Sequence, residues 1–121
     1  MKKSKSFSIT KKYLGEEVEL VIDRPLGSKH PRYGFTYESN YGFVPNTQAP
    51  DGEEIDAYFL GVNKSLNRAE GKCIAIIHRL KDDDDKLVVV SPRAERITDE
   101  EIEKAVNFQE QWFEHKIVRG N

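Results

Sequence analysis

With 121 residues the chain fits one domain, which at this size buries roughly two-thirds of its unfolded surface without a disulfide or metal staple. A formal net charge of -2 and a pI near 5.9 argue against a broad electrostatic footprint for nucleic acid, and no apolar run approaches the roughly 20 residues of a membrane-spanning helix. Cys73 is the only cysteine, so no intrachain disulfide can form and a small buried side chain is its expected role.

The basic start MKKSKSFSITKK is not followed by the apolar stretch of a secretory signal, so residues 1–12 are expected to be a frayed or edge segment of a cytoplasmic protein. "EVELVID", 17–23, alternates with Val18, Leu20 and Ile22 on one face, the period of a half-buried strand. The long segment from Arg24 to Glu54 is dense in Pro, Gly, Ser and Asn. Loops of that length are functional or disordered, and Tyr33, Phe35, Tyr37, Tyr41 and Phe43 argue against disorder. Its doubled "YGF" reads as two short strand or turn segments.

Two near-continuous apolar runs, 55–62 and 72–80, joined by a polar turn and followed by "KLVVVSP", read as three successive strands. The last two make a hairpin whose turn is the acid run Asp82 to Asp85. The period then becomes helical. Thr98 with Glu101 fits a capping box and Ile97 with Ile102 a hydrophobic staple. Ile102, Ala105, Val106, Gln109, Trp112 and Phe113 form one stripe facing the sheet, with Trp112 read as core and Lys116 near the stripe's end. The fold expected is α+β: a small closed or partly open β-barrel with one main C-terminal helix, in a single domain over 1–121.

The acid run raises a question of charge. Two unit charges about 5 Å apart repel by roughly 1 kcal/mol in water and roughly 3 at an effective dielectric near 20. A second cluster, "DGEEID", supplies Asp51, Glu53, Glu54 and Asp56, and period-2 alternation puts Asp56 on the face of Tyr58 and Leu60. Each run taken alone reads equally well as a solvated turn. If both meet at one mouth of the barrel, divalent cations relieve the repulsion, and oxygen donors without His or Cys favour Mg²⁺, Mn²⁺ or Ca²⁺ over zinc. Lys29, Arg32, Lys86 and Lys116, with the phenols Tyr37 and Tyr41, suit a multiply charged phosphate substrate. His30, His78 and His115 lack ligand-spaced partners and are read as structural or surface residues.

In order and spacing, "Y-x-x-N-Y-G-F-V-P", "D-G-E-E-I-D-A", "D-D-K-L-V-V-V-S-P" and "W-F-E-H-K" resemble the soluble family I inorganic pyrophosphatases over residues 17 to 117. The resemblance implies an OB-like barrel that hydrolyses pyrophosphate to two phosphates through a metal-activated water, with two or more Mg²⁺ ions, or Mn²⁺ in their place. It implies Asp51, Asp56, Asp82 and Asp84 as metal ligands. Asp23 joins them, standing where the family has a glutamate. Glu53 stands at the general base, Lys86, Tyr41 and Lys116 at phosphate contacts, and Tyr37 at the first tyrosine of the loop. Lys29 or Arg32 would replace the cation of a segment that is shorter here, while Gly34 falls where that segment's glutamate is expected. The family usually has aspartate at position 53 and a tyrosine before Lys116. A cytoplasmic homo-oligomer with no membrane or nucleic-acid partner is the associated expectation. The alternatives are a nucleoside triphosphate or other phosphoanhydride hydrolase on the same site, a catalytically weak relative, and a barrel that stacks single-stranded nucleic acid. The net negative charge disfavours the last of these.

Overall fold

The computed structural model describes residues 4–120. Helix α1 (Lys5–Thr10) leads into a 3₁₀ turn at Lys11–Tyr13, followed by strands β1 (Glu17–Arg24), β2 (Asn40–Val44), β3 (Ile55–Leu60), β4 (Arg68–Arg79) and β5 (Lys86–Val90). Helix α2 (Asp99–Glu110) and strand β6 (His115–Arg119) complete the chain. Hydrogen bonding runs β1-β2-β3-β5-β4, and β4 returns to β1, so five strands close into a barrel. The length of β4 makes the closure possible. Its first part, Arg68 to Lys72, pairs with β1, while Ala75 to Arg79 pairs with β6, which hangs on the barrel as an extra strand.

Alternation along the strands sorts side chains into two cores. Ala57 and Phe59 of β3 and Leu87 and Val89 of β5 point into the barrel with Val18, Leu20, Ile22 and Cys73. Tyr58, Leu60, Val88 and Val90 point outward, where Ile102, Val106 and Phe108 of α2 cover them. Strands buried on both faces read as continuous apolar runs rather than alternating ones, which is why 55–60 and 86–90 show no period. Cys73 is fully buried, and desolvation pushes its thiol up to about 12.

The hairpin of β4 and β5 forms around the acid run, antiparallel as expected. By contrast β3 does not pair with β4. It lies parallel to β5, with Ala57 opposite Leu87, and this crossover is what later brings Asp56 to Lys86. The capping box is present in full, Thr98 accepting from the Glu101 N–H while the Glu101 carboxylate accepts from the Thr98 N–H.

Three local expectations are corrected. The frayed or edge segment expected over 1–12 lies outside the described residues at 1–3 and is not frayed over 5–12: Ser6 and Thr10 are buried, and Phe7 and Ile9 pack on the barrel core. The helical stripe ends at Glu110, so Trp112 lies in a turn and is 61% exposed rather than core. Lys116 lies on β6, not on the helix end. Of the two "YGF" segments, Tyr41 to Phe43 forms a strand, where Gly42 is required because a Cβ there would sit 1.9 Å from the Val21 carbonyl oxygen. The first forms the tip of a small arm, with Lys29 bridged to Thr36, His30 N–H donating to the Phe35 carbonyl at 2.8 Å and Tyr37 N–H to the Ser28 carbonyl at 2.8 Å.

Candidate active site

Lys86 opens β5 on the outward face, the face of Val88 and Val90, and the parallel register with β3 sets Asp56 beside it. Its Nζ lies 2.8 Å from Asp56 Oδ2 and 2.9 Å from Asp84 Oδ1, with only 4% of the side chain exposed. An ammonium buried this far needs compensating charge, and the two carboxylates supply it. The ring of Tyr41 completes the group, its centroid 5.9 Å from Nζ. Burial, then the charges of Asp56 and Asp84, push the Tyr41 phenol well above its ordinary value, so it remains a neutral O–H group.

One strand over, Arg79 ends β4 and points the same way. Its Nε and Nη2 donate to the two oxygens of buried Glu110 at 2.9 and 3.0 Å, its Nη1 donates to Asp82 at 3.1 Å, and its plane stacks 3.6 Å from the Phe113 ring centroid. Burial alone would lower the Arg79 pKa, but Glu110 and then Asp82 hold it above its ordinary value. Glu110 also accepts from the Tyr58 hydroxyl at 2.6 Å, which in turn accepts from Gln109 at 2.7 Å. Arg79 and Glu110 were not singled out in the sequence. A lone arginine at a strand end and a glutamate inside a capped helix look like ordinary surface charge.

The acid run divides by alternation. Asp82 and Asp84 face Arg79 and Lys86. Asp83 and Asp85 turn to the other side, Asp83 accepting from the Ser4 hydroxyl at 2.8 Å and the Ser6 N–H at 2.9 Å. Asp85 accepts from the Arg79 N–H and from His78 Nδ1–H, both at 2.9 Å, and its own N–H donates to the Ser6 hydroxyl. The Asp83 carboxylate and the Asp85 N–H thus fasten the hairpin to α1, and the carboxylates of Asp82 and Asp84 are left for the site.

Above this floor opens a cavity of about 790 Å³ lined by Tyr41, Arg79, Asp84 and Lys86 and, higher up, by aromatic residues of the arm and of the turn after α2. Tyr37 is buried beneath Tyr41 with its hydroxyl donating to Gln109 at 3.4 Å. Asp51, Glu53 and Glu54 lie exposed on the turn before β3, where the Asp51 carboxylate accepts from the Glu53 N–H at 2.9 Å. Asp23, at the end of β1, has its carboxyl pushed up first by burial and also by the charges of Asp56 and Glu54, against the lowering effect of Arg24.

Other expected contacts lie apart from the cavity wall. Lys29 and Arg32 are exposed on the arm, which turns His30, Tyr33 and Phe35 toward the cavity instead. Lys116 pairs with His78 across β4 and β6, so it shares the face of His78 and not that of Arg79. At Gly34 the backbone φ is +75°, a conformation that disfavours any side chain, so the turn itself excludes a glutamate there. Asn40 is a further structural residue missed in the sequence: fully buried, it accepts from the N–H groups of Leu26 and Leu66 and donates to the Lys64 carbonyl, tying two loops to β2.

The sequence pattern of the inorganic pyrophosphatase family matches residues 7–118. The chain belongs to the inorganic pyrophosphatase family. No protein of curated function matches the sequence at a significant level. Among solved structures, the inorganic pyrophosphatase of Helicobacter pylori is similar with a TM-score of 0.68 at 17% identity, over 88% of this chain and 86% of that one. That of Ehrlichia chaffeensis gives 0.63 at 15% identity over 85% of each, and that of Thermus thermophilus 0.59 at 21% over 84% and 80%. At these identities the likeness fixes the fold, an OB-like α+β barrel.

Inorganic pyrophosphatases are hydrolases and are generally metal-dependent, so the donor set must be tested against a metal. Among the described residues no three His, Cys, Asp or Glu side chains converge as a ready-made cage. The charge balance nonetheless fits a hard cation. Two buried cations, Arg79 and Lys86, contact four carboxylates, Asp56, Asp82, Asp84 and Glu110. All the donors are oxygens, which suits Mg²⁺ or Mn²⁺.

Proposed function

We propose that the cavity floor binds inorganic pyrophosphate and hydrolyses it to two phosphates, with Mg²⁺ as the working ion and Mn²⁺ as a substitute. The observation that carries this is the Lys86 ammonium seated between Asp56 and Asp84 in a chain of the pyrophosphatase family. Asp56 and Asp84, together with Asp51, Asp82 and Asp23, are the residues that would hold two or more ions. When bound, such ions shield the anion and lower the pKa of an attacking water.

The chain's own groups carry the remaining work. Lys86 and Arg79 offer N–H donors to phosphoryl oxygens and neutralise charge as the bridging P–O bond breaks. The neutral Tyr41 hydroxyl donates a further hydrogen bond. Glu53, on an exposed turn beside Asp56, accepts the proton that the water loses as its oxygen bonds to phosphorus. Lys29, Arg32 and Lys116 contribute long-range positive charge that draws the anion in, and Tyr37 holds Tyr41 from below. Self-association and a cytoplasmic location belong to the same proposal; sedimentation velocity tests the first.

A phosphate-release assay with pyrophosphate and Mg²⁺ tests the activity. Two phosphates per pyrophosphate are expected, with loss of turnover in Asp56→Asn and in Glu53→Gln. Release no faster than in a protein-free control would overturn it.

A further inference from the structure

Above the charged floor the cavity is walled by rings that an inorganic diphosphate does not use. Tyr33 and Trp112 are 70% and 61% exposed although both line the cavity. They belong to one connected path: Tyr33 lies 5.0 Å from His30, His30 4.9 Å from Phe35, and Phe35 5.6 Å from Trp112, between ring centroids. From Phe35 the path descends through Tyr37 to Tyr41, beside Lys86. Large exposed rings gathered on one concave surface mark a place where apolar or planar matter binds. The volume of about 790 Å³ lies within the roughly 300–1,000 Å³ typical of pockets for drug-sized ligands. Pyrophosphate has no apolar surface to set against such a wall.

We propose that the cavity also takes a phosphoanhydride joined to a planar ring, a nucleoside di- or triphosphate, with its phosphates at Lys86 and Arg79 and its base stacked on the rim at Trp112. This rests on the floor being the phosphate site, as assigned above. Two polar groups near the rim are already engaged: the Gln109 amide with Tyr58 and Tyr37, and His30 Nδ1 with the N–H groups of Arg32 and Tyr33. Stacking needs no hydrogen bond to the base edge, and every base offers a π-face. The site therefore distinguishes a nucleotide from a bare polyphosphate but hardly one base from another.

Trp112 is the only tryptophan, so its fluorescence reports on the rim directly. The full chain is titrated with ATP and with inorganic tripolyphosphate at equal Mg²⁺, affinities being read by calorimetry and rim occupancy by Trp112 emission. ATP is expected to quench the emission and to bind about tenfold tighter than tripolyphosphate, with GTP and UTP close to ATP. In Trp112→Ala, and to a lesser degree in Tyr33→Ala, the ratio of the two affinities falls toward one. Both residues are exposed, so folding is not at stake, and a circular dichroism spectrum checks it. Equal affinities in the unaltered chain overturn this inference while leaving the floor's assignment intact. Failure of both ligands to bind overturns the assignment of the floor as well. Emission that depends on protein concentration without nucleotide identifies the rim as a contact between copies of the chain and likewise overturns the inference.

Discussion

Arg79 and Glu110 meet as a two-bond fork, Nε to Oε1 at 2.9 Å and Nη2 to Oε2 at 3.0 Å, with both side chains buried. The pair locks the end of β4 to the last turn of α2, and it fixes the guanidinium at the cavity wall. Removing one member strands the other, which typically costs about 3–5 kcal/mol. Glu110→Ala is expected to lower the unfolding free energy by that amount in urea titration. The double variant Arg79→Met, Glu110→Leu recovers most of it, since an apolar pair of similar volume is often neutral or stabilising; activity in that variant stays low because the cation is gone.

Lys86 makes the nearest contacts to the carboxylates of the floor. Lys86→Met removes a preorganised donor and leaves Asp56 and Asp84 facing each other across an apolar stem. Turnover of pyrophosphate is expected to fall by roughly 10²–10³-fold, measured as kcat at saturating substrate.

Metal removal gives a separate reading. Mg²⁺ alone, with no substrate, is expected to raise Tm through binding to the folded state, and EDTA reverses the rise. Asp56→Asn loses most of the response, as scanning calorimetry at fixed ionic strength would show.

His115 sets a pH dependence. Its Nδ1 lies 2.7 Å from the Phe113 carbonyl and its Nε2 2.8 Å from Glu103, so both ring nitrogens face acceptors and both must donate. Burial works against the charged ring, but the Phe113 carbonyl and Glu103 outweigh it and raise the pKa above 6.5. A group raised in the folded state contributes stability in full below its unfolded value, and the contribution is lost as pH rises through the folded value. The stability difference between the natural chain and Glu103→Gln is therefore largest below about pH 6.5 and shrinks as the solution is made alkaline, measured by urea unfolding at several pH values.

Asp83 behaves in the opposite sense. Burial disfavours its charge, yet the Ser6 N–H and the hydroxyls of Ser4 and Ser6 together outweigh it and bring its pKa below 3.8. Its contribution is present above that value and disappears as pH falls through the depressed one. Asp83→Ala is expected to loosen α1, seen as faster amide exchange over residues 5–10 near neutral pH, with the difference fading in acid.

The strands, the capping box and the acid-turn hairpin were legible because each rests on local order: a period, a cap, a turn between two apolar runs. What the sequence could not display was pairing between distant segments. Asp56 and Lys86 are thirty positions apart, and only the parallel β3–β5 register joins them. For the same reason Arg79 and Glu110 passed unnoticed, since they stand thirty-one positions apart on different elements. Trp112 was misread because the apolar stripe of α2 was carried one turn too far; the helix ends at Glu110 and the tryptophan belongs to the turn beyond. The choice among the four consecutive aspartates was open in the sequence, and alternation about the hairpin turn divides them into two pairs.

That division has a mechanical consequence. The same short turn is held from behind by Ser4 and Ser6 and faces the cavity in front, so the hairpin behaves as a lever with its fulcrum at the amino-terminal helix. Trimming or clipping that helix would free the lever and blur the placement of Asp82 and Asp84. Damage at the chain's beginning would then be felt as weakened ion capture in a chamber that the helix does not line.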